Sequence, residues 1–388
     1  MGWASSRSAC LRSGVAAGIL ELAMVGCAPE SVSIDLPPRP PPKGSVGACG
    51  DAPVPLVHLP AIALHALGID ELNLYVVAAS GGDASAAQSV WRVPKDGSSP
   101  QRLVPTEAPI AAVAFDAGGF AEATEIFWTT SGADGGATGS VGSLRLGPSD
   151  APVILASHRR APGAIVVVGP RVYWSEQDID PSGQPVEAIV STSTTGGAVT
   201  TVQTLGTDQI PRTLAAYQGI SASNAFVGWL YWTTWDSRVG SEGAAEVVSC
   251  PVPTPFGPLT AIAGPDAGGV AAMQLGYATS AVLYSGPLGI MEVAVKLDGG
   301  LDAPRLIADA GGFVDRIEDD VTAVYFVERA TGSLVATPRF AADAAVARSP
   351  RTLATSVDPA AAFQVDDACV YWIDPHAEAI MMATKHPP

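Results

Sequence analysis

The sequence predicts an all-β fold, a seven-bladed β-propeller closed by its own N-terminal strand. Three observations carry that expectation. A hydrophobic run ending in an aromatic pair recurs along most of the chain, the same short strand-like pieces flank each copy, and the two ends of the repeating region complement each other. A period in the forties to fifties with short strands is the mark of radially repeated sheets.

The fullest copy is Ala368-Cys369-Val370-Tyr371-Trp372-Ile373-Asp374. Weaker copies are Ile126-Phe127-Trp128-Thr129, Val172-Tyr173-Trp174-Ser175, Leu230-Tyr231-Trp232-Thr233 and Val324-Tyr325-Phe326-Val327. Leu74-Tyr75-Val76 and Leu283-Tyr284-Ser285 are degenerate copies, placing the aromatic position at 75, 127, 173, 231, 284, 325 and 371. Ahead of it runs a small apolar piece A, such as Ile165–Val168 or Ala361–Val365. The aromatic strand is piece B. Piece C follows, as in Val90-Trp91-Arg92-Val93 or Leu334-Val335-Ala336-Thr337. Turns such as Lys95-Asp96-Gly97 carry the Asp-Gly chemistry of hairpins, and lead to a Pro-x-x-Leu piece D at Pro100–Leu103, Pro152–Leu155 and Pro350–Leu353. No long stretch keeps a helical period free of Gly or Pro, so helices are not expected.

The seventh unit ends after piece C, Ala379–Ala383, while Pro53–Pro60 stands as an orphan D piece before the first unit. Laying that strand on the outside of the last blade completes a four-stranded sheet and removes an open edge. The degenerate first and fifth units leave six or eight blades as alternatives.

The Tyr-Trp and Phe-Trp pairs, with the Arg-Val-Pro-x-x-Gly and Pro-x-x-Leu pieces, resemble the YWTD-type and related bacterial extracytoplasmic β-propellers over roughly residues 54 to 385. Only Tyr371-Trp372-Ile373-Asp374 keeps the terminal Asp, and the YWTD group proper has six blades. The resemblance implies architecture and not that group's receptor function.

The chain has 388 residues, a net charge of −17 and much Gly and Pro, which suits many short strands joined by tight turns. Such acidity argues against nucleic acid or an anionic membrane surface as partner, since both require clustered Lys and Arg.

Residues 1–27 read as a signal segment: Arg7 and Arg12 precede the apolar Gly14–Leu20, and Met24-Val25-Gly26-Cys27 closes it. A small residue before Cys at that place resembles the bacterial lipoprotein lipobox, although Met24 stands where Leu is usual and Glu21 interrupts the run. The resemblance implies lipidation of Cys27. Ala28 in place of the inner-membrane retention Asp implies the outer membrane of a Gram-negative cell. An ordinary cleaved signal peptide and a short uncleaved anchor are the alternatives. Residues 28–53, with Pro37-Pro38-Arg39-Pro40-Pro41-Pro42, read as an extended linker. Residues 54–388 then form one propeller domain, contacting the membrane only through the lipid anchor and expected to be a monomer.

An oxidising compartment permits disulfides. Cys49 precedes the closing strand and Cys369 begins piece B of the same blade, whereas Cys250 falls across the ring, beyond the roughly 7 Å that a disulfide bridges. Cys49–Cys369 is the expected pair, and three free thiols are the alternative.

Recurring aromatics are expected to pack blade on blade. Non-repeating residues in the long B–C connections (79–89, 130–141, 175–187, 233–245) are the better candidates for binding: Asp134, Glu176, Asp178, Asp180, Trp235, Asp236, Arg238 and Glu242. Asp178-Ile179-Asp180-Pro181-Ser182-Gly183 matches the opening of a Ca²⁺ loop, with Asp178, Asp180 and Ser182 as ligands, but position twelve is Ile189. A solvated acidic loop is the alternative, and Ca²⁺ is the one cofactor the pattern admits. No G-x-S-x-G, P-loop or G-x-G-x-x-G occurs, and the five histidines lack H-x-x-x-H spacing. The expected function is binding of a protein or glycan without catalysis. A propeller lyase or hydrolase with a metal-assisted site at the channel mouth, and a structural envelope protein, are the rivals.

Overall fold

The computed structural model describes residues 49–385 except 51, 60–61, 81–87, 107, 117–122, 133–137, 148–149, 206–208, 221–225, 237–245, 253–259, 264–272, 276–280, 295–301, 321 and 340–349. Among the described residues there are seven four-stranded antiparallel sheets and no helix.

The chain enters through β1 (Val54–His58). One sheet then follows another in sequence. The first is β2 (Ile62–Ile69), β3 (Asn73–Ser80), β4 (Gln88–Pro94) and β5 (Gln101–Pro105); the second is β6 (Ile110–Phe115), β7 (Glu125–Thr130), β8 (Gly139–Arg145) and β9 (Val153–Arg159). The third is β10 (Ile165–Val168), β11 (Arg171–Ile179), β12 (Pro185–Ser193) and β13 (Thr200–Thr204). The fourth is β14 (Gln209–Ile220), β15 (Phe226–Asp236), β16 (Glu246–Val252) and β17 (Thr260–Ala263). The fifth is β18 (Met273–Leu275), β19 (Ala281–Gly286), β20 (Gly289–Ala294) and β21 (Arg305–Ala308). The sixth is β22 (Ile317–Asp319), β23 (Ala323–Glu328), β24 (Ser333–Pro338) and β25 (Arg351–Ala354). The last holds β26 (Phe363–Val365), β27 (Cys369–Asp374) and β28 (Ala379–Thr384), and β28 pairs with β1 from Val54↔Met382 to His58↔Ala379. The A, B, C and D pieces of the sequence therefore correspond to successive strands.

The first strands of the sheets adjoin one another in the cyclic order β2, β6, β10, β14, β18, β22, β26 and back to β2. This is a β-propeller.

Each aromatic pair works on both sides of its sheet, because neighbouring residues in a strand point to opposite faces. The first residue packs on the following sheet and the second on the preceding one. Tyr75 shares a core cluster with Trp128, Phe127 with Trp174, Tyr173 with Trp232, and Tyr325 with Trp372. The indole of Trp128 lies over Gly142, its ladder partner, where a Cβ would come within 2.5 Å of the ring. The fifth sheet corrects the expected register. Met273 pairs with Tyr284 as Ile317 pairs with Phe326 and Phe363 with Trp372, so Tyr284 holds the second place of the pair. Leu283 holds the first and packs with Phe326 of the sixth sheet. Tyr284 is the one aromatic of β19, which invited its alignment with the first place of the pair.

Candidate functional site

Two systems of polar residues stand out: one lies between the sheets and one on a rim. The first begins at the A–B turns. Asp70, Asp320 and Asp366 each lie five residues before a tyrosine of the B strand and accept its hydroxyl: Tyr75 at 2.6 Å, Tyr325 at 2.8 Å and Tyr371 at 2.9 Å. The other carboxylate oxygen accepts backbone N–H groups two and three residues on, closing the turn. All three aspartates are buried.

A cation just past the C strand of the next sheet faces this turn. Lys95 meets Asp366 at 3.0 Å, and Lys385 meets Asp320. Arg339 holds the equivalent position in the sixth sheet, shown by its backbone N–H bonding Thr322 as those of Lys95 and Lys385 bond Leu72 and Ala368. It reaches Asp319 of its own sheet and Glu292 of the fifth, the latter at 2.6 Å. Burial drives the pKa of Asp320 up, but the charge and hydrogen bond of Lys385 outweigh it and hold the carboxyl below its ordinary value. Glu292 behaves likewise, with Arg305 and Arg339 overcoming burial. Around the first sheet the pattern changes: Leu146 occupies the cation's place, and Asp70 instead receives the backbone N–H of Ala123 at 3.2 Å.

Glu318, on the innermost strand of the sixth sheet, differs from these carboxylates. It accepts from Gln364 Nε2 of the next sheet's innermost strand at 2.8 Å. Burial pushes its pKa up to about 8, the Arg316 charge opposing and Asp319 adding to the rise.

The second system is the rim on which the B–C and D–A connections emerge. Residues 175–187, expected to be a long loop, are mostly ladder: β11 and β12 pair continuously from Arg171↔Ser193 to Ile179↔Pro185. Only a tight turn remains, closed by the N–H groups of Asp180 and Gly183 on the carbonyls of Gln184 and Asp180. Glu176, expected on the binding face, is instead 1% exposed. Its Oε2 accepts the Trp174 indole N–H at 2.7 Å, and the carboxylate forms a fork with Arg159 of the second sheet. That hydrogen bond raises the Arg159 pKa. Glu176 is thus a link between sheets.

Asp178, Ile179 and Asp180 form the hairpin's tip, with Ile179 39% exposed. Asp180 accepts from Ser182 Oγ at 2.7 Å and from the N–H groups of Ser182 and Gln184, which depress its pKa. Asp178 Oδ1 accepts the N–H of Ile179. Asp178 sits in the ladder opposite Val186, and among the described residues no three His, Cys, Asp or Glu side chains form a metal-ligand group. Trp235 and Asp236 lie on β15, opposite Ile210 and Gln209 in the ladder. Asp134, Arg238, Glu242 and Cys27 lie outside the described residues. Cys49 and Cys369 are disulfide-bonded, as expected.

The interlocking Asp–Tyr–cation pattern was missed in the sequence, although its signal is there. Asp stands five before Tyr at 70, 320 and 366, and Lys or Arg ends the C piece at 95, 339 and 385.

No family model and no curated protein matches the chain. Among solved structures it is similar to a mutant of puromycin hydrolase complexed with PGG (TM-score 0.57, 10% identity, covering 86% of this chain and 52% of that one). The chain therefore spans about half the length of that hydrolase. It is also similar to streptogramin B lyase (TM-score 0.53, 11% identity, 85% of this chain and 96% of that one). A nidogen/laminin complex matches at TM-score 0.41 and 17% identity over 64% of this chain and 82% of the other. The likenesses to the hydrolase and the lyase bear on the fold alone.

Proposed function

We propose that the chain is a membrane-anchored, extracytoplasmic, seven-bladed β-propeller that binds a protein or glycan through the rim carrying the B–C hairpins. Seven sheets in cyclic contact and the β1–β28 ladder support the blade count and the closure by the N-terminal strand. The disulfide favours an oxidising compartment, and the Cys27 lipobox resemblance favours a lipid anchor.

The observation carrying the binding reading is the β11–β12 hairpin, which presents an acidic and apolar tip at Asp178, Ile179 and Asp180. Rigid ladder behind a protruding tip preorganises a contact surface. The sheet-to-sheet carboxylates, by contrast, are engaged by tyrosine hydroxyls and cations. Photo-crosslinking from residue 179 in the native envelope tests the reading. A discrete adduct that disappears in an Asp178→Ala, Asp180→Ala double variant supports it; an adduct indifferent to those changes, or equal labelling from residue 116 on the opposite rim, contradicts it. Loss of an enzymatic activity on stripping metal from the purified protein would favour the lyase or hydrolase reading.

A further inference from the structure

The disulfide does not lie on the ladder that holds the N-terminal strand. Cys49 precedes β1, and β1 pairs with β28, whereas Cys369 begins β27, one strand further in. Cys369 is opposite Thr384, whose N–H bonds Gly50 O, so the bond clamps across the end of β28. Without it, β1 keeps a short ladder whose register shifts between Pro55 and Val57, and Pro55 supplies no N–H. Cys369 is held independently: its N–H bonds Asp366 at 2.7 Å, beside Tyr371 and Lys95. The two sulfurs also differ in access, since Cys49 is half-buried and Cys369 is fully buried.

We propose that Cys49–Cys369 is a redox latch on the N-terminal strand, and that a dithiol reductant opening it frees β1 from β28 while the other sheets stay folded. A thiolate of the reductant attacks Cys49 Sγ, and the electron pair of the S–S bond leaves on Cys369 Sγ, which takes up a proton. The second thiolate of the reductant then displaces Cys49, which is protonated in turn. The protein gains two electrons and two protons, and the dithiol becomes a cyclic disulfide. With the bond closed, any separation of β1 leaves it tethered beside its partner; with the bond open, the separation is free and β28 becomes an open edge. The inference stands apart from the binding and anchoring readings, since it uses only the contacts of the two cysteines and of β1 with its neighbouring strands.

Amide hydrogen exchange on the full purified chain, with and without dithiothreitol and with free thiols counted, is the test. Peptides of β1 and β28 should exchange faster by about tenfold or more after reduction, while β10–β13 are unchanged. A Cys49→Ser variant should give the same pattern without reductant. Three results overturn the latch: unchanged exchange after confirmed reduction, acceleration of all sheets together, or failure of dithiothreitol to reach the bond in the folded protein.

Discussion

Lys95, just past β4 of the first sheet, places Nζ 3.0 Å from Asp366 Oδ2 in the last sheet, and both side chains are almost wholly buried. Asp366 thus receives a tyrosine hydroxyl from its own sheet and a cation from the first sheet. Lys385 repeats the arrangement one sheet back, on Asp320 and Tyr325.

Removing one partner leaves a desolvated charge, which costs more than the pair itself contributes. Lys95→Met should lower unfolding stability by about 3–5 kcal/mol, measured by urea titration. Adding Asp366→Asn to it should recover part of that loss. Simple additivity of the two changes would show that the pair does not couple.

Glu318 gives a dependence on pH. The folded carboxyl keeps its proton up to about 8, whereas the unfolded one releases it near the ordinary value of 4.5. Stability therefore falls as pH rises from the lower value to the higher, and is flat beyond it. Glu318→Gln should match the parent near pH 4 and exceed it at pH 8 by on the order of a few kcal/mol, measured by thermal unfolding. An equal effect at both pH values would contradict the buried neutral acid.

Asp320 has the opposite sign. Its lowered pKa supplies stability at neutral pH that is lost on acidification through the folded value. Lys385→Met should remove most of that acid-sensitive component and flatten the acid limb of the stability profile. An unchanged acid limb would show that Lys385 does not set it.

Trp174 joins packing to charge by donating to Glu176. Trp174→Phe keeps most of the apolar contact and should cost about 1–3 kcal/mol through the lost bond to a buried carboxylate. Glu176→Ala should cost at least as much and shift both the second and third sheets in exchange experiments. Were Glu176 a surface binding residue, its removal would leave stability unchanged.

Much of this architecture was legible because strands announce themselves by composition and turns. The aromatic pairs and the turn residues between them marked the β-strands and the all-β propeller architecture. The fifth register failed because Leu283 can replace an aromatic where only apolar volume is needed. The rim was less legible. A stretch with Gly and Pro between 175 and 187 reads as loop, yet ladder hydrogen bonds extend it almost to the turn. Glu176 looked functional because it does not repeat, but an indole N–H and a guanidinium from a neighbouring sheet give it a structural partner that no local pattern reveals. Asp70 shows the same limit: its tyrosine lies five residues away, while its substitute for a cation is the N–H of Ala123 in another unit.

The most direct measurement is a crystal structure of the oxidised full chain with the sheets counted and the partner of residues 54–58 identified. The account predicts seven four-stranded blades, with the N-terminal strand on the outer edge of the last one and Lys95 on Asp366. Six blades, or an N-terminal strand detached from β28, would contradict it.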